Sequence, residues 1–172
     1  NHMALIMPHQ DIRWTYGTFV EEVDKLAAGL LNLGLEPGDR LGIWSPNRYE
    51  WVLTQYATAK IGVIMVCVNP AYRLYELEYA LNKVECKAII TAPSFKTSMY
   101  LNMLYELAPE LNNCKAGELK SAKLPHLETI IRMDEEKSPG MFNFGEICEA
   151  GSSEDFDRLI SLGESLKASD PI

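Results

Sequence analysis

The chain has 172 residues, of which 47% are hydrophobic and 23% are charged, a composition typical of a globular protein with one sizeable core. Its 24 acidic and 16 basic residues give a formal net charge of -8, so a polyanionic nucleic acid would be repelled on average. The longest clear apolar run, residues 63–68, is far shorter than the roughly 20 residues of a transmembrane helix. We therefore expect neither nucleic acid as a partner nor a membrane-spanning segment.

Residues 1–3 are typical of a cloning remnant, because His-Met is what a common cloning site encodes. We expect one incomplete α/β domain over residues 4–172. The four cysteines form no C-x-x-C pair and the chain has three histidines, so neither structural zinc nor a redox dithiol is favoured. Cys67 falls in an apolar run, where we expect a small buried hydrophobe, and free thiols fit a reducing intracellular compartment.

Short apolar runs alternate with helical periodicity along the chain, which predicts parallel strands joined by crossover helices. The predicted strands are five in number and cover residues 13–16, 40–45, 63–68, 87–91 and 128–133. The predicted helices cover residues 17–33, 48–61, 74–84, 95–107, 142–148 and 154–162. The sequence thus predicts a doubly wound, mostly parallel α/β sheet flanked by helices.

The first predicted helix has an apolar face and a marked end. Its predicted core residues, at helical spacing, are Val20, Val23, Ala27, Leu30 and Leu31. Gly34 follows the helix and can adopt the left-handed conformation at the C′ position. We expect Leu35 to fold back on the last helical turn.

The second predicted helix and the strand after it carry two further expectations. Asn47, followed three residues later by Glu50, has the spacing of an N-cap and its partner acid. Residues 63–68 are six consecutive apolar residues rich in β-branched side chains, which is typical of a central strand buried on both faces.

The second half of the chain contains one helix with a methionine stripe and several less regular segments. The predicted helix over 95–107 places Met99 and Met103 on its apolar face, which we interpret as core packing. The polar segment 112–125 is predicted to be a surface excursion, and the acidic residues 134–136 a solvated turn. Ser153 is the predicted N-cap of the last helix.

The turns after the second and third predicted strands lack a phosphate-binding signature. They read Ser-Pro-Asn and Asn-Pro-Ala, which match neither G-x-G-x-x-G nor G-x-x-x-x-G-K-[ST], and each proline lacks a backbone N–H. The chain has no G-x-S-x-G or H-E-x-x-H motif, and we interpret His9 and His126 as ordinary surface histidines. The residues alone therefore indicate an α/β domain to which we assign no catalytic residue, cofactor ligand or metal ligand.

Four segments become informative when they are taken in order. They are Thr-Tyr-Gly-Thr-Phe at 15–19, Gly-Asp-Arg-Leu-Gly-Ile at 38–43, Ser-Pro-Asn at 45–47 with Glu-Trp at 50–51, and Asn-Pro-Ala-Tyr-Arg at 69–73 with Glu-Leu-Glu-Tyr-Ala-Leu at 76–81. Together they resemble the opening of the adenylate-forming enzymes, and in particular of the medium-chain fatty acyl-CoA synthetases, a group with a mitochondrial member. The resemblance covers nearly all of residues 10–172 and weakens between 109 and 165.

The resemblance implies a parent enzyme that joins a fatty acid to coenzyme A. In this family the carboxylate attacks ATP, accompanied by magnesium, to give an acyl-adenylate, and the CoA thiol then displaces AMP. The family's phosphate loop, T-S-G-T-T-G-x-P-K-G, is absent here, and residues 170–172 resemble the stretch just before it. We therefore expect an N-terminal part that is inactive alone, binds no cofactor tightly and works with the remainder of its own chain. Its expected location is cytoplasmic in a bacterium and the mitochondrial matrix in a eukaryote.

Any pocket edge on this chain is expected at the carboxyl ends of the strands, where open α/β sheets bind ligands. The candidate residues there are Asn47, Arg48, Asn69 and Tyr72. The alternative is purely structural, with Asn47 capping a helix and Asn69 shaping a turn. Two other functions stay open: a non-catalytic module that binds a partner or self-associates through a sheet edge, and an adenylating enzyme for aryl or amino acids.

Overall fold

A computed structural model of the chain describes residues 2–172, so Asn1 of the expected cloning remnant lies outside the described residues. The chain divides into two compact units. The helical unit comprises the residues up to 38 together with 47–64 and 147–172, and the sheet unit comprises residues 39–46 and 65–146. The remnant at 1–3 and the single domain over 4–172 stay predictions.

The described residues form seven β-strands and six α-helices. The strands are β1 (Met3–Met7), β2 (Ile12–Thr15), β3 (Arg40–Trp44), β4 (Ile64–Cys67), β5 (Ala88–Thr91), β6 (Thr129–Arg132) and β7 (Phe142–Asn143). The helices are α1 (Tyr16–Asn32), α2 (Tyr49–Lys60), α3 (Leu74–Lys83), α4 (Tyr100–Leu107), α5 (Phe144–Glu149) and α6 (Ser153–Ser165). Each predicted element has a counterpart, whereas β1 and β7 are additional. Within residues 2–172, no helix combines the length and the apolar character needed to cross a membrane.

Five of the strands form one sheet in the order β4-β3-β5-β6-β7. The pairs β3/β5, β5/β6 and β6/β7 are parallel, and Gly42, Ile89 and Ile130 lie side by side across the three middle strands. β5 and β6 are buried along their whole length, as expected for parallel strands covered on both faces. The predicted doubly wound, mostly parallel α/β fold is confirmed.

The strand predicted to be central lies at an edge of this sheet. Within residues 2–172, β4 pairs with β3 alone, its first three residues are half-exposed, and the side chain of Cys67 is exposed. The composition of a strand reports how apolar its surroundings are, whereas its place in the strand order depends on the crossover connections. The predictions of a central strand and of a buried Cys67 are therefore wrong for this chain.

β1 and β2 form a separate antiparallel pair in the helical unit. A short 3-10 turn, Pro8–Gln10, joins them, and Asp11 completes the turn with a φ of 55°. The strand pair was not predicted because β1 begins inside the segment expected to be a cloning remnant. Thr15 ends β2 and caps α1, since its hydroxyl accepts a hydrogen bond from the N–H of Thr18 at 3.3 Å.

α1 packs in the helical unit by the face that the sequence predicted, with one exception. The predicted core residues that are buried are Val23, Ala27, Leu30 and Leu31. Val20 is 48% exposed instead, and Leu26 is buried in addition. Gly29 allows a close approach, because a Cβ at this position would lie 1.8 Å from the carbonyl oxygen of Ile147.

The end of α1 confirms the predicted C-cap. Gly34 has a φ of 82°, which the absence of a side chain permits. Its N–H donates to the carbonyl of Leu31 at 2.9 Å, and the N–H of Leu35 donates to that of Leu30 at 3.2 Å. This is the Schellman arrangement, in which the residue after the glycine folds back on the helix, and Leu35 is accordingly buried.

The N-cap of α2 is Arg48 rather than Asn47, so the predicted cap is one residue off. Arg48 has an extended backbone and its side chain accepts no capping hydrogen bond. The N–H of Tyr49 donates instead to the side-chain carbonyl of Gln10 at 2.8 Å, a partner in the 3-10 turn that joins β1 and β2. A residue far away in sequence thus makes the capping contact that the local pattern assigned to Asn47.

The N-cap of α6 is also displaced by one residue, to Ser152 from the predicted Ser153. The Ser152 hydroxyl accepts from the N–H of Asp155 at 3.3 Å, while the Asp155 carboxylate accepts from the N–H of Ser152 at 2.9 Å. This reciprocal pair is a capping box with aspartate as its acid. Ser152 rather than Ser153 is the cap because it is the serine that has an acid, Asp155, three residues later in the sequence.

The segment 112–125, predicted to be a surface excursion, is tied down by apolar side chains. The buried leucines in and beside it are Leu111, Leu119, Leu124 and Leu127. The N–H of Leu119 donates to the carbonyl of Glu128 at 3.1 Å, which brings the segment back to the start of β6. The leucines follow neither a helical nor a strand period, which is why periodicity did not reveal their burial.

The predicted methionine stripe is half confirmed. Met103 is buried on α4, whereas Met99 precedes the helix and is 52% exposed. Phe95 lies before α4 in a single antiparallel bridge with Ser98. The helix starts five residues later than predicted because this tight turn replaces its expected first turns.

Candidate functional site at the carboxyl edge of the sheet

The strand order of the sheet reverses next to β3. The chain passes from β3 to β4 on one side and then to β5 on the other side of β3. The crevice outside the carboxyl ends of two strands that diverge in this way is where open α/β sheets bind ligands. In the sheet unit this edge is formed by the segments that follow β3, β4, β5 and β6.

Two stacked aromatic residues lie at this edge. Trp44, the last residue of β3, and Tyr100, the first residue of α4, are both fully buried, and their ring centroids are 3.7 Å apart at an interplanar angle of 14°. The indole N–H of Trp44 donates to the carbonyl of Asn69 at 3.1 Å. The phenol of Tyr100 donates to the carbonyl of Pro70 at 2.7 Å. We call this pair the aromatic clamp, because its two polar tips hold successive carbonyls of the segment after β4.

The clamped segment is a tight turn. The side-chain oxygen of Asn69 accepts from the N–H of Ala71 at 2.9 Å, and the N–H of Tyr72 donates to the Asn69 carbonyl at 3.0 Å. Asparagine commonly shapes turns in this way. Asn69 therefore shapes the turn, its place at a pocket edge stays a prediction, and the side chain of Tyr72 is half-buried beside the turn.

Burial keeps the phenol of the clamp in its donor form. Removal from water raises the pKa of Tyr100 to about 12, since the charged phenolate is disfavoured there, while the charge of Arg73 acts weakly in the opposite direction. The hydrogen bond to Pro70 is thus available throughout the neutral range.

The hydroxyl groups after β3 and within β5 are engaged with nearby backbone. Ser45 donates to the carbonyl of Pro46 at 2.5 Å. Thr91, which is fully buried, donates to the carbonyl of Ala92 at 2.9 Å and lies 3.4 Å from the carbonyl of Trp44. Hydroxyls held in this way fix the strand ends and are not placed beside a general base.

The end of β6 carries a buried arginine that is already neutralised. Arg132 is 5% exposed and makes a bidentate contact with Asp134, whose second oxygen lies 2.9 Å from Nη2. It also pairs with Glu136 and donates to the hydroxyl of Ser138 at 2.6 Å. The hydrogen bonding that Arg132 donates to the carboxylate of Asp134 is the largest cause that raises the pKa of Arg132. Two of the three acids predicted to form a solvated turn, Asp134 and Glu136, therefore form ion pairs with this arginine.

This edge, as far as residues 2–172 form it, does not fit a nucleotide phosphate or its metal ion. Pro46, Pro70 and Pro93 follow β3, β4 and β5, and proline offers no N–H to an anion. Arg132 faces two carboxylates rather than an open anion site. Among the described residues no group of three or more Asp, Glu, His or Cys side chains could hold a metal ion.

The other two candidate residues lie in the helical unit. Asn47 is exposed and Arg48 is half-buried, and both line an open cavity of about 400 Å³ whose other walls are Met7, Trp51 and Val52. The structure therefore groups the four candidates in pairs, Asn47 with Arg48 in this cavity and Asn69 with Tyr72 in the clamped turn.

Arg48 is held by a buried carboxylate. Glu50 is 1% exposed, and its two oxygens lie 2.6 Å from Nη2 and 3.1 Å from Nε of Arg48. The side-chain amide of Gln10 donates to the same carboxylate at 2.9 Å. We call Gln10, Arg48 and Glu50 the charge network. It satisfies a buried charge with a paired cation and an additional hydrogen bond, as burial of a carboxylate requires.

Sequence reasoning missed the residues that hold these candidates in place. Trp44 and Tyr100 are 56 positions apart, and Gln10 and Glu50 are 40 positions apart. The one available signal was the aromatic residue that ends β3 beside a proline turn, since a tryptophan at a strand end needs a partner for its N–H.

Comparison with known proteins gives the family. The profile of the AMP-binding enzymes matches residues 1–157, which is most of the chain. The chain belongs to the AMP-binding enzyme family. The predicted membership among adenylate-forming enzymes is thereby confirmed.

Curated relatives resemble the chain over nearly all of its length. The protein from Homo sapiens named medium-chain acyl-CoA ligase ACSF2, mitochondrial, is 48% identical over 98% of this chain, and its counterpart from Danio rerio is 47% identical over the same share. A putative acyl-CoA synthetase of Bacillus subtilis, YngI, is 36% identical over 83%. The chain spans 28% of the length of the two ACSF2 proteins and 26% of YngI.

Solved structures of the family share the fold. An anthranilate CoA ligase, AuaEII, in complex with anthranoyl-AMP matches 88% of this chain with a TM-score of 0.72 at 22% identity, and the match covers 25% of that protein. The N-terminal domain of FACL13 from Mycobacterium tuberculosis matches 90% with a TM-score of 0.69 at 20% identity, covering 33% of that chain. At such identities the likeness shows the fold alone.

Proposed function

We propose that the chain is the N-terminal part of an ATP-dependent acyl-CoA ligase that acts on fatty acids. The observation that carries the proposal is identity of close to one half, over 98% of the chain, to proteins named medium-chain acyl-CoA ligases. The reaction joins a fatty acid, ATP and CoA to give acyl-CoA, AMP and diphosphate. The predicted phosphate loop, magnesium and the reacting groups belong to the remainder of the protein, because the described residues do not fit them.

In this proposal the chain shapes and supports the walls of the substrate site. The aromatic clamp fixes the turn after β4, and the charge network fixes the start of α2. Fixed walls favour catalysis because they hold a substrate in its reactive geometry without a further loss of entropy. In this proposal Asn69 and Tyr72 act through the shape of their turn rather than by contact with substrate.

Asn47 and Arg48 are the residues that we propose for the substrate-pocket edge. Their cavity has apolar walls, Met7, Trp51 and Val52, beside one polar and one charged side chain. Such a mixture suits a ligand with an apolar body and a polar end. The charge of Arg48 is balanced by Glu50, so the apolar walls would supply most of the binding energy.

The proposed location follows the named relatives. We place the protein in the mitochondrial matrix if its source is eukaryotic, because the ACSF2 proteins carry the word mitochondrial in their names. A bacterial source would place it in the cytoplasm. Import of the full-length protein tagged with a fluorescent reporter, with and without its natural leader, tests this.

The test of the function is acid-dependent exchange of diphosphate into ATP by the full-length protein. Fatty acids of increasing length, an aryl acid and an amino acid serve as alternative substrates. We expect exchange with fatty acids and formation of acyl-CoA when CoA is added. Exchange with the aryl or amino acid alone would replace the proposed substrate class, and an absence of exchange with every acid would refute an adenylating function.

The 172-residue chain provides the matched control for this assay. We expect it to form no acyl-CoA and to bind ATP weakly or not at all, since its strand ends offer prolines and neutralised side chains. Calorimetry is the measurement. Binding of ATP at low micromolar concentration would contradict the assignment of the nucleotide site to the remainder of the protein.

A further inference from the structure

One face of α3 carries two aromatic side chains that the fold leaves in contact with water. Tyr75 is 79% exposed and Tyr79 is 60% exposed, and the two lie about one helical turn apart. The opposite face of the helix is buried through Leu77 and Leu81. Exposed tyrosines that lie next to one another are typical of a binding surface, because an aromatic ring supplies a large contact area and a polar tip.

The two rings border an open cavity of about 240 Å³, whose lining is completed by Glu78 and Asn82. The four residues follow one another at spacings of three, one and three, so they share one face of α3. We call this space the tyrosine cavity. It combines two aromatic rings, one carboxylate and one amide.

Acceptors dominate the polar lining of the tyrosine cavity. Within residues 2–172 the carboxylate of Glu78 has neither a hydrogen bond nor an ion pair, whereas that of Glu76 accepts from the N–H of Arg73 at 3.1 Å. The side-chain nitrogen of Asn82 donates to the carbonyl of Lys123 at 2.8 Å. That contact fixes the orientation of the amide and leaves its carbonyl oxygen available as an acceptor.

This lining fits a guanidinium group better than other cations. The face of a tyrosine ring is negative, and arginine is the side chain most often found over such a face. A guanidinium has five N–H donors and no acceptor, and its planar fork matches a carboxylate. The ammonium of lysine is more strongly hydrated, and a quaternary ammonium has no N–H for Glu78 or Asn82.

We propose that the tyrosine cavity binds the side chain of an arginine in a partner protein, with the guanidinium against the two rings and paired with Glu78. The chain has a net charge of -8, so a basic partner is attracted and a second copy is repelled on average. Four of the six arginines of this chain are moreover already paired with carboxylates, namely Arg40, Arg48, Arg132 and Arg158.

Fluorine NMR of protein that contains fluorotyrosine tests the cavity in the full-length protein and in the 172-residue chain. The signals of Tyr75 and Tyr79 are assigned by their loss in Tyr75→Phe and Tyr79→Phe. The probe is a blocked tripeptide, Gly-Arg-Gly, and matched peptides carry lysine or citrulline, the neutral isostere of arginine, at the central position. Tyr16 of α1 is 62% exposed and serves as the internal control.

We expect the arginine peptide to shift the signals of Tyr75 and Tyr79 in both proteins and to leave that of Tyr16 in place. The lysine peptide should bind more weakly, and the citrulline peptide should produce no saturable shift because it has no charge. Equal binding of the lysine or citrulline peptide would overturn the choice of arginine. Equal shifts at Tyr16 would show that the peptide contacts exposed tyrosines without selection, and would also overturn the proposal.

The carboxylate is tested by a pair of charge variants. Glu78→Gln should weaken binding of the arginine peptide about fivefold, the size of an exposed charge pair. Glu21→Gln, at an exposed acid of α1, removes the same net charge and should leave the affinity unchanged. An equal loss in the two variants would show that net charge alone attracts the peptide and that the cavity is not the site.

The ring is tested at Tyr79. Tyr79→Leu should weaken binding about fivefold through loss of the cation–π contact, whereas Tyr79→Phe keeps the ring and should keep the affinity. The side chain is exposed, so both variants should retain the urea midpoint of the parent chain. Full affinity in Tyr79→Leu would contradict a role for the ring.

The full-length protein decides whether this face of α3 is available to a partner. Binding by the 172-residue chain without binding by the full-length protein would show that the remainder of the protein covers the cavity, and would overturn the proposal. A doubled mass that the arginine peptide reverses would identify a second copy as the occupant, and would overturn the choice of a different protein. Full-length Glu78→Gln should lose affinity for the peptide and still exchange diphosphate into ATP, so this inference and the proposed function can fail separately.

Discussion

The aromatic clamp of the sheet unit and the charge network of the helical unit hold candidate residues by different physics. The clamp stacks two buried rings, and the polar group of each ring donates a hydrogen bond to a backbone carbonyl. The network buries a carboxylate and balances it with an arginine and an amide. When one group is removed from a pair of stacked rings, the other contacts of the pair remain. When a buried charge loses its partner, that charge is left uncompensated. The two regions should therefore respond differently to small and large changes.

Removal of a whole ring is the largest change and should damage the clamp most. Trp44→Ala removes a fully buried indole, its stack on Tyr100 and its hydrogen bond to Asn69. We expect a loss of about 4 kcal/mol in the free energy of unfolding, because a large cavity remains in the core. Urea denaturation followed by circular dichroism measures it. The control is Trp51→Ala, at a half-buried tryptophan of the helical unit, which should cost less.

Loss of the cation should damage the network almost as much, although Arg48 itself is only half-buried. Arg48→Met leaves Glu50 in the interior with Gln10 as its remaining partner. We expect a loss of about 3 kcal/mol, at the low end for a broken buried pair because solvent can enter where Arg48 was. The same denaturation experiment applies.

Two further variants make this prediction specific. Arg158→Met breaks the exposed ion pair with Glu36 and should cost less than about 1 kcal/mol. The double variant Arg48→Met/Glu50→Met removes both charges and should be more stable than Arg48→Met alone. A double variant that is less stable than the single one would show that Glu50 is not a stranded charge and that the comparison is wrong.

The contrast also shows how far the sequence determines the molecule. The parallel sheet and the C-cap at Gly34 follow from local patterns, since strand burial and helix ends leave signatures within a few residues. The contacts between Trp44 and Tyr100, or between Gln10 and Glu50, join residues 40 or more positions apart and depend on strand order. Local periodicity indicates which face of an element is buried but not what covers it.

The candidate site illustrates the same limit. Asn69 was predicted either to line a pocket edge or to shape a turn; the structure shows that it shapes the turn, and the pocket role stays a prediction. Asn47 has the spacing of a cap, yet Gln10 supplies the capping contact from the turn between β1 and β2. The choice between such roles depends on groups brought near by folding, which a spacing rule does not contain.

Alkaline pH should weaken the clamp through its phenol. Tyr100 has a pKa of about 12 in the fold against an ordinary value of 10.0, so above pH 10 the unfolded chain releases a proton that the folded chain keeps. Stability due to this group is complete below pH 10 and falls as the pH rises to about 12, by at most about 2.7 kcal/mol. Cys86 and Cys148 add a decline that starts near their ordinary value of 9.0.

The variant Tyr100→Phe isolates the contribution of the phenol. Its stability should fall less steeply between pH 10 and 12 than that of the parent chain, while the decline between pH 9 and 10 is unchanged. Urea midpoints measured at half-unit steps of pH provide the comparison. An unchanged slope above pH 10 would mean that the phenol is in contact with water and that the clamp is open.

At neutral pH the same variant should show the smallest effect. Tyr100→Phe keeps the ring stack on Trp44 but removes the hydrogen bond to Pro70, and we expect a loss of about 1 kcal/mol. Tyr105→Phe is the matched control, because its phenol also donates to a proline carbonyl, that of Pro139 at 2.8 Å, but at an exposed site. Water can replace that bond, so the control should lose less. If both variants lose the same amount, burial adds nothing to the bond at Pro70, and the stacking of the two rings alone would have to account for the clamp.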